Sequence, residues 1–145
     1  MDATCLISLN QEQLTKKTKS SNVLETNHMH ELLLSIGIPP NINGYSYIQF
    51  SLELILQKPE YLRSVTKGLY IDVAKHFHTT PASVERSMRF AIVNTWKYGN
   101  PEFIHNIFKN CVRSDKGSPT NTVFLAALYY YIISIGYYQA ERQSV

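Results

Sequence analysis

The chain has 145 residues, 44% of them hydrophobic, enough for one domain with a real core and a tail beside it. Fourteen basic residues against eleven acidic leave a net charge of +3, so the overall charge is modest and its distribution carries more information. Two cysteines, Cys5 and Cys111, do not make a disulfide framework and read as free thiols of a reducing cytosol.

Residues 1–27 are rich in Ser, Thr, Asn, Gln and Lys, carry no net charge, and read as a flexible N-terminal tail. They lack the basic start and sustained apolar stretch of a signal peptide. A helical domain is expected over 28–140. Its first helix covers 28–36 with Leu32, Leu33 and Ile36 inward, stopped by Gly37 and kept from restarting by Pro39-Pro40. Asn43-Gly44 reads as a turn. A second helix runs from about Tyr45 to Gln57, with Tyr47, Ile48, Phe50, Leu54 and Ile55 packing, and Lys58-Pro59 ends it before a short turn at Glu60–Ser64.

Residues 66–98 read as helix, turn, helix. Leu69, Val73 and Phe77 recur at i, i+4, i+8, and Ala74 beside them lets a second helix cross closely. His78-Thr79 occupies the turn, where a residue able to adopt the left-handed conformation is needed. Thr80 can cap the second helix and Pro81 suits its first turn. Laid out at about 100° per residue, that helix gathers Val84, Met88, Ala91, Ile92, Thr95 and Trp96 on one side. Ala82, Arg86, Arg89, Phe90, Val93 and Lys97 fall opposite. The first set can fill a core, and the second would face a groove. This is a helix-turn-helix, which places one helix in the major groove of DNA. Residues 58–98 hold seven basic residues against three acidic, a net of +4, where a phosphate-binding surface needs it. A helical hairpin in an unrelated all-α core would show the same spacing.

Gly99 ends the long helix. Asn100 and Pro101 start another over about 101–110, with Phe103, Ile104, Ile107 and Phe108 apolar. After a polar loop at Arg113–Gly117, Ser118-Pro119 opens a final helix to about Gly136. Its stretch 123–138 spans about 24 Å, short of the ~30 Å hydrocarbon core. It is read as buried in the core or against a second copy, not as a membrane span. With no alternating strand pattern, the expected fold is all-α, with about six helices. His28-x-His30-Glu31 and His76-x-His78 are the ligand-like clusters, but histidines two apart on a helix point about 200° apart, so no metal is expected. Without a Gly-rich phosphate loop, nucleophile elbow or paired carboxylates, neither an enzyme nor a cofactor is expected.

Three segments carry a resemblance: GIPPNINGYSYI at 37–48, SVTKGLYIDVAKHFHTTPASVERSMRFAIVNTWKYGN at 64–100, and PTNTVFLAAL at 119–128. Through them, residues 28–138 resemble the C-terminal DNA-binding (effector) domain of the sporulation-initiation response regulator of endospore-forming bacteria. The resemblance implies a six-helix fold, sequence-specific double-stranded DNA binding and transcription control, with helix 81–98 in the major groove. Glu85, Arg86 and Arg89 match residues the family uses at or near bases and backbone. Arginine reads guanine O6 and N7 in a bidentate manner, and glutamate accepts from cytosine N4. Lys75, Lys97 and Arg63 are expected on phosphates. Ser83 stands where the family commonly has Arg, and Phe90 where it has His, so the operator preference is expected to differ. The family's region for contacting the RNA polymerase sigma subunit corresponds to Pro101–Val112, where Phe108 and Val112 fit the pattern. The family's N-terminal phospho-receiver domain has no counterpart in residues 1–27, so a receiver-less regulator is expected. Two other readings stand beside this one: a protein-interaction module antagonising the full-length regulator or polymerase, and a plasmid or phage DNA-architecture protein. Self-association as a homodimer through the apolar last helix, either free or only on DNA, is a further expectation.

Overall fold

In the computed structural model the described residues are 28–109 and 117–143, without the side chains beyond 136. Cys5, Cys111, Val112 and most of the polar loop fall outside them. The chain divides after Leu32 into two compact units, and the second, Leu33–Val145, carries the features that follow. Among the described residues all regular structure is helical.

Helix α1 (28–36) ends in Gly37, whose φ of +102° suits a residue without a side chain. The amide of Ile38 donates to the Leu33 carbonyl at 3.2 Å and that of Gly37 to Leu34 at 3.1 Å, which satisfies the last carbonyls of the helix. The same glycine meets another bend in the chain. A Cβ there would lie 2.7 Å from the Cα of Gly99. The Asn100 amide closes this crossing by donating to the Ile36 carbonyl at 3.1 Å.

Helix α2 is Asn43–Gln57, so the Asn43-Gly44 pair begins a helix rather than forming a turn before it. The reason is packing. A Cβ on Gly44 would stand 2.4 Å from the Ser87 carbonyl oxygen and 2.7 Å from the Ala91 Cβ, so this glycine lets α2 lie against the helix that carries Ser87 and Ala91. Tyr47, Ile48 and Ile55 are buried as expected, joined by Tyr45, Ser51 and Leu52. Glu60–Ser64, expected as a turn, belongs largely to a 3-10 helix at Pro59–Arg63. A π-turn at Val65–Leu69 leads into α3, Tyr70–His76. The Ser64 carbonyl there accepts from both the Gly68 amide (2.9 Å) and the Leu69 amide (3.1 Å), the widened pattern of a π-turn.

Helix α4 is Pro81–Tyr98 and α5 is Pro101–Phe108, each with proline in its first turn. Asn100 caps α5 by accepting from the Glu102 and Phe103 amides. The last helix, α6, is Asn121–Gln143 and continues past Gly136, where it was expected to stop. It is not enclosed on all sides. Phe124, Leu125, Ala127 and Leu128 are buried, while Val123, Tyr130, Ile133 and Ile135 are exposed. No helix among the described residues is long and apolar enough to cross a membrane.

The most extensive pairing is α2 on α4, followed by α3 on α4. On the far side, Trp96, Phe108 and Phe124 bring α4, α5 and α6 together. The Phe108 and Phe124 rings stack with centroids 5.2 Å apart, and Trp96 meets Phe108 edge-on at 5.0 Å. Phe108, expected on a partner-facing surface, is 2% exposed. It is a core residue, because α6 covers the side of α5 that the spacing alone left open.

Candidate nucleic-acid interface

The helix-turn-helix is built from α3, the turn 77–80 and α4. His78 has φ +54°, which lets the chain reverse within a few residues. Thr80 then caps α4: its Oγ1 accepts from the Ser83 amide at 3.2 Å and its hydroxyl donates to Ser83 Oγ at 3.0 Å. Such a cap contributes about 1 kcal/mol to the helix.

Val84, Met88, Ala91, Ile92 and Thr95 are buried, and they fix which face of α4 turns inward. Burial of each large aliphatic contributes about 1.5–3 kcal/mol, so rolling α4 about its axis would cost several of these terms at once. Thr95 avoids an unpaired hydroxyl by donating to the Ala91 carbonyl at 2.7 Å. Ala74 on α3 is 2% exposed, and α3 packs against α4. What remains outward on α4 is Ala82, Arg86, Arg89, Phe90 and Lys97, all exposed, with Ser83, Glu85 and Val93 half-buried.

Glu85 and Arg89 form an ion pair one helical turn apart, with 41% and 65% of their side-chain surface exposed. At that exposure an i,i+4 pair contributes only about 0.3–0.5 kcal/mol, so Arg89 can leave it for a better partner. Arg86 lines a surface cleft of about 460 Å³ together with Phe90 and Ser87 from α4 and residues Asn41–Gly44 at the start of α2. Phe90 is 63% exposed, a large apolar ring with no part in the core. Ser83 is engaged by Thr80 in the cap, which leaves its hydroxyl proton for other work.

The residues expected on phosphates come from three elements. Arg63 ends the 3-10 helix, Lys75 lies in the last turn of α3, and Lys97 lies in the last turn of α4; all three are exposed. The first two are tied together through their elements. Tyr61, on the turn that carries Arg63, donates its hydroxyl to Asp72 on α3 at 2.5 Å. That bond pushes the Tyr61 phenol above its ordinary range, with some desolvation and the Asp72 charge adding to it. The Lys58 ammonium sits 5.6 Å over the same ring.

Two residues that periodicity did not single out reach the site from behind. Asn121, at the first position of α6 and 7% exposed, donates to the Tyr70 hydroxyl at 3.0 Å and to the Glu85 carbonyl at 3.1 Å. Burial raises the Tyr70 phenol above its ordinary value, the Asn121 bond opposes this, and the Glu85 charge adds to it while that of Arg89 opposes it. Elsewhere, the ring of His76 stacks on Phe50 with centroids 3.9 Å apart. No group of three or more His, Cys, Asp or Glu is placed to hold a metal among the described residues.

An all-α domain that presents a capped helix with a basic, core-free face belongs to the helix-turn-helix class. The model of the family "Sporulation initiation factor Spo0A C terminal" matches residues 29–132, and the chain belongs to that family. The family is one of DNA-binding effector domains of a sporulation regulator, not of enzymes.

Proposed function

We propose that this chain is a sequence-specific regulator of transcription that reads double-stranded DNA with α4 in the major groove. The observation that carries the reading is the split of α4 into two faces. One is locked into the core by five buried residues, while the other leaves Arg86 and Phe90 exposed along a surface cleft and Arg89 held only by an exposed ion pair with Glu85. In this reading Arg86 and Arg89 take guanine edges, Glu85 accepts from a cytosine amino group, and Phe90 lies against thymine methyls. Ser83 sits beside them at the start of the helix. Arg63, Lys75 and Lys97 hold phosphates and set the register without choosing the sequence. Binding as a homodimer on two half-sites fits the exposed apolar residues of α6. Contact with the polymerase sigma subunit would fall on the exposed Glu102, His105 and Asn106 of α5 and on Lys109 just after it.

Unbiased selection from a random duplex pool tests the central point. The reading expects a short enriched motif containing G·C pairs. A pool that stays random after several rounds would favour an architectural role instead.

The exposure of Phe90 favours a second reading, a module that binds protein and antagonises the full-length regulator or polymerase. The Phe90→Ser variant separates the two. Under the second reading it abolishes protein association and leaves DNA affinity nearly intact. Under the first it changes preference at one or two base pairs.

A further inference from the structure

Base reading by α4 demands more than the right side chains. The helix must be held along its axis as well as in its rotation, because a guanidinium displaced by an ångström loses the bidentate geometry on guanine. The core residues of α4 hold its rotation. They are mostly aliphatic, and contacts of that kind are non-directional. A hydrogen bond to a backbone atom of the reading turn is directional.

Asn121 supplies such a bond. Its side-chain amide has two protons, and both are used: one on the Tyr70 hydroxyl at 3.0 Å, the other on the Glu85 carbonyl at 3.1 Å. Tyr70 opens α3 and is 4% exposed, so its hydroxyl is itself fixed by the core. Glu85 lies one residue before Arg86 and four before Arg89, in the turn proposed to meet the bases. Asn121 stands at the first position of α6, where Thr120 caps the helix: its Oγ1 accepts from the Val123 amide at 3.3 Å. The asparagine side chain is therefore free of capping and reaches across to the back of the recognition helix. The result is a three-point joint of α3, α4 and α6 placed behind the reading residues.

We propose that Asn121, with Tyr70 as its anchor, is a positioning residue for sequence reading: it fixes the Glu85–Arg89 turn of α4 in the register that aligns Arg86 and Arg89 with base edges. It touches no DNA. The proposal rests on the base-reading role given to α4 above. It separates specificity from affinity, because phosphate contacts tolerate displacements that base contacts do not.

The test measures binding of wild-type and Asn121→Ala full-length chains to the duplex enriched by selection and to a scrambled one, each across a salt series. Ile107→Val, a core change on α5, serves as the destabilised control. Asn121→Ala is expected to lower the selected-to-scrambled affinity ratio by about tenfold, the discrimination carried by roughly one base pair. Affinity for the scrambled duplex and its salt slope stay unchanged. Ile107→Val keeps the ratio of the wild type. Tyr70→Phe preserves the ring and the Glu85 bond, so it provides a folded variant if Asn121→Ala does not fold, with a loss of ratio of about threefold. A ratio in both variants equal to that of wild type overturns the positioning role and leaves Asn121 a matter of stability. An equal fall of the ratio in Ile107→Val overturns it too. A wild-type chain with no preference at all defeats the base-reading proposal itself, a result distinct from either.

Discussion

The contact between Gly44 and α4 makes a quantitative demand on stability. In Gly44→Ala the new methyl would be built 2.4 Å from the Ser87 carbonyl oxygen and 2.7 Å from the Ala91 Cβ, and the nearer of these is backbone. Neither can swing aside, so α2 and α4 must separate, and overpacking of this kind costs about 1–3 kcal/mol. Alanine returns up to about 0.5–1 kcal/mol through helix propensity. The net is a loss of about 1–2 kcal/mol. For a unit of roughly 110 residues the entropy of unfolding is about 0.23 kcal/mol per kelvin, so Tm falls by about 4–9 °C. Gly136→Ala is the counterpart. Its Cβ meets no described atom within 4 Å, so the propensity gain stands alone and Tm rises by about 2–4 °C. Thermal unfolding of both variants by far-UV circular dichroism is the assay. If Gly44→Ala proves as stable as the wild type, the close α2–α4 crossing is wrong, and with it the account of how α4 is seated.

Three further outcomes follow from the interface. Arg86→Ala should weaken specific binding by about 1–3 kcal/mol and relax preference at one base pair, read by competition with single-position duplex variants; unchanged specificity would remove Arg86 from the bases. Lys97→Ala should weaken binding to all sequences alike and lower the salt slope by about one unit, and an unaltered slope would rule it out as a phosphate contact. The third concerns alkaline stability. Burial raises the Tyr70 phenol above its ordinary 10.0, so its neutral form favours the fold. That contribution is complete below pH 10 and is lost as pH rises through the folded value. Urea unfolding across the alkaline range should therefore show a shallower decline in Tyr70→Phe than in wild type, and identical declines would contradict the burial argument.

Helix α4 was legible because its face is set by a repeating apolar pattern and its start by Thr80-Pro81, both local signals. The turn at His78 was legible for the same reason. Gly44 was misread because Asn-Gly marks a turn only when nothing packs on it; here a carbonyl on another helix decides its role. Phe108 was misplaced because α5 is short and apolar over much of its length, and only the position of α6 reveals which side is covered. Asn121 lies 51 residues from Tyr70 in the chain, and no spacing rule connects an asparagine at a helix start with a tyrosine so far away. The residues proposed to read bases belong to one helix and could be found along it. The residues that hold them come from three helices and required the fold.

The central claim is that α4 reads sequence, and fluorescence anisotropy of the purified chain on an operator-type duplex of this family and on a scrambled one, each over a salt series, tests it most directly. The account predicts salt-sensitive binding to both, with the operator-type duplex preferred by about a thousandfold or more. Equal affinity for the two duplexes at every salt concentration, with selection also returning no motif, would contradict it.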